Sequence, residues 1–170
     1  MYIGRRACNP HGSRRRWSGS TPYPSVERAA TCPTLPSGSE LLCALGGQPT
    51  RGQICRMARE LVQLHQNARD RSQWTQETSQ CRSEIVADIN AWARENLPCP
   101  SRTAHRHDET LGEVVDRLAI AAAAAFQLLM TGDVSGEHMH AAWTRLAELE
   151  LEYSDLVCQV YDGRQYLPGM

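Results

Sequence analysis

The chain predicts an all-α fold, an antiparallel four-helix bundle with a disordered N-terminal segment, from three observations. Apolar residues recur every three or four positions after residue 53. Prolines and glycines divide that stretch at helix-like lengths, and no part of it alternates apolar and polar residues as a half-buried strand would. With 170 residues, 41% hydrophobic and 22% charged, the chain has the material for one core and one domain.

Residues 1–37 are rich in Pro, Gly, Ser and Arg and lack an apolar period, so they cannot offset their own ordering entropy. They read as a disordered leader. Arg5, Arg6, Arg14, Arg15, Arg16 and Arg28 outnumber the single acid Glu27 there, yet the leader offers no folded basic face or aromatic platform, which argues against nucleic-acid binding. Residues 38–50 predict a short helix, Ser39 to Leu45, stopped by Gly46 and Gly47, and then a linker.

Residues 51–165 form the predicted bundle domain. Ile54, Met57, Leu61, Leu64 and Ala68 mark one buried stripe of a first long helix, running from Gln53 to about Thr78. Cys81, Ile85, Ile89 and Trp92 mark a second, Gln80 to Asn96, which Pro98 and Pro100 prevent from continuing. A third opens on the capping box Thr110-Leu-Gly-Glu113 and directs Leu111, Val114, Val115, Leu118, Ala121, Ala122, Ala125, Leu128 and Leu129 to one face. Gly132 is its expected stop. A fourth, Glu137 to Tyr161, directs Met139, Trp143, Leu146, Tyr153, Leu156, Val157 and Val160 inward. Short connections make such helices reverse direction, hence the antiparallel bundle.

The far face of the third helix continues from polar residues into Ile120, Ala123 and Ala124. Either that helix is central or its alanine face meets a second copy, and a homodimer is the expectation. The longest apolar run, Leu118 to Met130, is too short for a membrane span. Seven cysteines without paired spacing read as reduced thiols, which points to a cytoplasmic location.

The chemistry-bearing residues gather near the start of the third helix: His105, His107, Asp108, Glu109, Glu113, Asp116 and Arg117. Acids in a first helical turn are favoured by the helix dipole and need no ligand, but Asp116 lies past that turn beside an apolar stretch and needs a partner. His65 borders the stripe of the first long helix, and Trp74 points away from it with Glu77 three residues on. Glu150 falls within the fourth helix's stripe, and His138 and His140 point apart. No phosphate loop, nucleophile elbow or zinc-protease motif is present.

The segments Leu64-His65, Gln73-Trp-Thr-Gln-Glu77, Arg82-Ser-Glu-Ile-Val-Ala-Asp-Ile89 and Glu109-Thr-Leu-Gly-Glu-Val-Val-Asp-Arg-Leu118 together resemble the bacterial domain of unknown function 4254, over about residues 54 to 165. Glu109, Thr110, Gly112, Asp116, Arg117 and Leu118 match its most specific segment, with Leu111 in place of the usual proline. Ala142-Trp143, Arg145-Leu146-Ala-Glu-Leu149 and Tyr153-Ser-Asp-Leu156 look like its actinobacterial branch. Thr75 stands where many members have histidine, and Thr78 where they have an acid, so a duty resting on that pair would be missing here. The resemblance implies a small helical protein, in some genomes encoded near glycan or glycolipid assembly genes, and supplies no reaction.

The expected site is therefore a polar or ligand-binding cluster of His65, Trp74, Glu77, Arg82, Glu109, Asp116 and Arg117, in an oligomeric binding or accessory protein with no cofactor, no metal and an unknown small-molecule ligand. The alternative is a magnesium-dependent hydrolase similar to the all-α nucleoside triphosphate pyrophosphatases. Glu113-Val-Val-Asp116 would serve as half of its acidic motif, with only Glu84 and Asp88, or Glu95, on the preceding helix.

Overall fold

The computed structural model describes residues 34–68, 74–131 and 136–169. Among these described residues the fold is all-α, with five helices: α1 (Gly38–Leu45), α2 (Gln53–Asn67), α3 (Gln76–Asn96), α4 (Leu111–Thr131) and α5 (Gly136–Tyr161). Two short strands, β1 (His105–Arg106) and β2 (Gln165–Tyr166), pair in parallel and tie the loop before α4 to the tail after α5. They satisfy a few backbone groups and do not amount to a sheet. The expectation of no strand gives way here because two residues are too few to show alternation.

Side chains meet the first free amides of α1, α3 and α4, whereas α2 starts after Gly52 without a side-chain cap. Ser37 and Glu40 cap α1 reciprocally, Thr75 Oγ1 accepts from the Thr78 amide at α3, and Thr110 and Glu113 close the expected capping box at α4. The Glu113 carboxylate accepts from the Thr110 amide at 2.7 Å, while the Glu113 amide donates to Thr110 Oγ1 at 3.3 Å. The cap at Thr75 overturns one expectation. The first long helix ends at Asn67 rather than near Thr78, and Trp74 and Thr75 are its successor's lead-in, with Thr75 Oγ1 taking the Thr78 amide that a continuous helix would have used.

The core is a single apolar cluster in which α4 packs against α2, α3 and α5, while α1 lies on α2 and α5. Helix α4 is therefore the central element. Its alanines 119, 122 and 125 are fully buried, and such small side chains let the neighbouring backbones come close. Gly112 marks the tightest approach: a Cβ there would lie 2.5 Å from the Val86 carbonyl oxygen, and its amide donates to Asn90 Oδ1 at 2.8 Å. Helix α3 is thus fastened to the first turn of α4 at a site only glycine fills.

The end of the expected leader has structure. Leu35 is buried, its amide donates to the Tyr161 hydroxyl, and the wholly buried Tyr153 hydroxyl donates to the Pro36 carbonyl at 2.9 Å. Burial pushes the Tyr153 phenol far above its ordinary pKa, so it acts only as a neutral donor. The leader expected before Thr34 lies outside the described residues, as does the stop at Gly132.

Several residues expected inside face water. Leu129 is 55% exposed and Trp143 is 37% exposed, though the Trp143 ring packs edge-on against Phe126 at 5.8 Å. Leu129 instead joins Met130 along a groove of about 720 Å³ beside the C-terminal turn of α1 and Arg59 to Asn67 of α2. Cys81, expected in the α3 stripe, is exposed, and Cys158 on α5 is too, whereas Cys55 is buried. Glu150, in the α5 stripe, is half-buried and accepts from the Ser154 hydroxyl at 3.0 Å.

A fold pinned at Gly112 predicts that Gly112→Ala forces α3 from α4 and lowers unfolding stability by about 1 to 3 kcal/mol, the usual cost of overpacking. Gly136→Ala, where a Cβ meets open space, serves as the control in the same denaturant titration and should leave stability unchanged or slightly raised.

Candidate functional site

Asp116 is the one charged residue buried in the described core, at 2% exposure. It sits in the second turn of α4 on the flank that faces α3, where the apolar stripe gives way. A carboxylate so placed needs partners for both oxygens, and two helices supply them. His65, near the end of α2, donates from Nε2 to Oδ1 at 2.9 Å. Arg82, in the second turn of α3, donates to Oδ2 from Nε at 2.9 Å and again from Nη2. Burial opposes the charge of Asp116, yet the bonds from His65 and Arg82 together hold its carboxyl below the usual aspartate range. The same carboxylate raises the pKa of the Arg82 guanidinium.

Trp74 completes the cluster. Its ring stacks on His65 with centroids 5.4 Å apart and planes inclined by 16°. Its indole Nε1 donates to Ser79 Oγ at 2.7 Å, and that hydroxyl donates to the Thr75 carbonyl. The first turn of α3 thereby holds the tryptophan over the histidine. His65 is 10% exposed and Arg82 42%, so the cluster runs from the core to the surface.

The expected site residues thus divide into three groups. His65, Trp74, Arg82 and Asp116 come together. Glu109 and Arg117 form a separate chain on the α5 side: Arg117 donates to Glu109 at 2.8 Å and to Glu152 at 2.9 Å, and its Nε is buried without a partner among the described residues. Glu77 joins neither. It lines a cavity of about 500 Å³ between α2 and α3, with Glu60, Gln63, Asn67 and Thr78 as its other polar groups and Leu64 and Ile85 as its apolar floor.

The acids around the start of α4 do not converge. Glu113 is committed to Thr110, which holds its pKa below the ordinary value, while Asp116 turns into the core. His107 Nδ1 lies against the Glu109 backbone, 2.9 Å from its carbonyl oxygen and 3.1 Å from its amide, and His105 and Asp108 are exposed. Among the described residues, no three His, Cys, Asp or Glu side chains lie together in a metal-binding arrangement.

Sequence reasoning missed Glu152, which spacing assigns to the wet face of α5, and Asn90, an amide on the flank of the α3 stripe. Glu152 could not have been found from its own helix, because its partner lies 35 residues away. Asn90 left a faint trace: a glycine at the second residue of a helix asks what backbone approaches it.

Removal of the buried charge gives the sharpest test. Asp116→Asn should cost about 1.5 to 3 kcal/mol at neutral pH, the range for hydrogen bonds to a charged group. A carboxyl with a depressed native pKa contributes stability above the unfolded pKa of about 3.9 and loses it as pH falls through the lower native value. The acid-side decline in stability should therefore be shallower in the variant, as read by chemical denaturation from about pH 6 to pH 3.

The profile of a protein family of unknown function, DUF4254, matches residues 56–168, a span that contains every residue of the Asp116 cluster and the cavity. No curated protein and no solved structure matches the chain. On that match the chain belongs to the DUF4254 family.

Proposed function

We propose that the protein is a cytoplasmic, homodimeric binding protein of the actinobacterial branch of its family. Its ligand site would be the α2–α3 cavity, and its role that of an accessory to glycan or glycolipid assembly. One observation carries the binding reading. The two helices that wall the cavity are the two that Asp116 ties to α4, through residues adjacent to the lining: Leu64 lines the cavity beside His65, and Cys81 lines it beside Arg82. A cavity whose walls are set by a buried ion pair is preorganised, which lowers the ordering cost of binding.

The lining also suggests a ligand class. Two carboxylates, two amides and a hydroxyl surround an apolar floor, and no arginine or histidine among the described residues lines it. Such a surface accepts hydrogen bonds from hydroxyl and ammonium groups and repels phosphate. Neutral and amino sugars fit it better than sugar phosphates. Helices α2 to α5 would run as an antiparallel four-helix bundle, as the short connection at residues 132–135 favours, with α1 as a flap. The dimer would form on the outer face of α4, where Ile120 is 47% exposed and Ala124 lies open beside it.

The hydrolase reading needs Glu113 and Asp116 to share a cation, and their side chains serve different partners. Nothing in the geometry favours it.

Thermal melts against a panel of neutral sugars, amino sugars and sugar phosphates test the ligand class. A member of the first two groups at about 100 times its dissociation constant should add about 2.7 kcal/mol. Stabilisation by the phosphates alone would overturn this reading of the cavity. Light scattering should give twice the 19.0 kDa chain mass, reduced to the single mass in Ile120→Asp, and a monomer at high concentration would remove the dimer.

A further inference from the structure

Gln63 and Asn67 of α2 border two spaces, the α2–α3 cavity and the apolar groove beside the end of α1. Leu45 of α1 and Val62 of α2 give the groove a buried floor, and Phe126, Leu129 and Met130 on the last turns of α4 give it a wall, around a volume of about 720 Å³. Sites for small molecules commonly enclose about 300 to 1,000 Å³ and are lined mostly by apolar side chains. Leu129 is 55% and Met130 83% exposed, so the fold leaves the outer part of that wall bare. Surface of this kind favours a ligand that brings apolar area to it.

The polar lining sets the charge. Arg59 is the one cation among the described lining residues, and the polar side chains beside it are amides, Gln63, Gln66, Asn67 and Gln127, with no carboxylate. The Arg59 guanidinium donates from Nε to the Ala44 carbonyl at 3.4 Å and from Nη2 to the Gln48 carbonyl. Both acceptors are neutral, and the Ala44 carbonyl also accepts from the Gly47 amide, so these bonds hold the arginine in place without cancelling its charge. A guanidinium has five N–H donors, and two bonds leave three of them, those of Nη1 included. Nη1 is not enclosed, since the buried polar side-chain atoms without a partner among the described residues are Thr50 Oγ1 and Arg117 Nε. A planar fork of free donors suits a carboxylate.

We propose that the groove binds a medium-chain fatty acid, its carboxylate accepting from the Arg59 guanidinium and its alkyl chain lying on Leu45, Val62, Phe126, Leu129 and Met130. Charge complementarity selects this occupant. One arginine among neutral amides matches a monoanion, and a chain of several methylenes covers the side chains that the fold leaves bare. The α2–α3 cavity, with Glu60 and Glu77 in its lining, repels the same anion, so the groove's ligand stands whether or not that cavity takes a sugar.

Calorimetric titration of the full-length protein with decanoate, decanol and decylamine at neutral pH, below the concentrations at which they form micelles, tests the proposal. The three probes share a chain and differ in the charge of the head. Decanoate should bind one per chain and most tightly, and decylamine least. Arg59→Gln should weaken decanoate about tenfold, the usual scale for a hydrogen bond to a charged group, and leave decanol unchanged. No binding of decanoate, binding just as tight in Arg59→Gln, or equal binding of decylamine would each overturn the proposal. If Arg59→Gln loosens α1, which that guanidinium holds, Met130→Glu decides, because its side chain is 83% exposed and the core does not depend on it. The added carboxylate should weaken decanoate more than decanol, and decanoate binding equal to that of the wild type would overturn the proposal. A second copy of the chain seated in the groove would show as no decanoate binding together with a light-scattering mass that falls to 19.0 kDa in Met130→Glu, and it too would overturn the proposal.

Discussion

One carboxylate joins three helices. Asp116 lies in the apolar interior at 2% exposure, where a lone charge would cost more than the fold could bear, and it is tolerated because α2 and α3 each bring a donor. The requirement runs in both directions. A helix pair that drifted apart would leave the charge unpaired, so the geometry of α2, α3 and α4 is narrowly specified at this point. Other fastenings act on the same helices: Asn90 holds the first turn of α4, Gly112 removes the Cβ that would separate it from α3, and Ser79 holds Trp74 over His65. Apolar burial supplies most of the driving force, and these polar contacts select which packing it settles into.

The helices were largely legible from the chain because their signals are local. The stripe of Ile54, Met57 and Leu61, the prolines after Asn96 and the box at Thr110 each declare themselves within a few residues, and each stands in the structure. Asp116 could be singled out the same way, as an acid past the first turn in apolar company. Its partners could not be ranked, since His65 lies 51 residues and Arg82 34 residues away, and periodicity says nothing of which faces meet. The early end of α2 was hidden for a different reason: apolar spacing fades without a glycine or proline, and the cap at Thr75 reads as ordinary polar sequence. Leu129 and Trp143 share the helical period of the core yet are more than a third exposed, since a stripe gives direction along a helix but not the place where neighbouring helices stop covering it.

The candidate site follows from the same clamp. Leu64 and His65 are neighbours on α2, as are Cys81 and Arg82 on α3, and one of each pair lines the cavity while the other grips Asp116. Any force that moves the cavity walls is felt at the carboxylate.

A double-mutant cycle between His65 and Arg82, which meet only through Asp116, tests this most directly. With His65→Ala, Arg82→Met and the pair compared by equilibrium denaturation, residues sharing one buried carboxylate should show a coupling energy above about 0.5 kcal/mol. Additivity within about 0.3 kcal/mol would mean that the two helices are held independently, and Asp116 would not be the junction described.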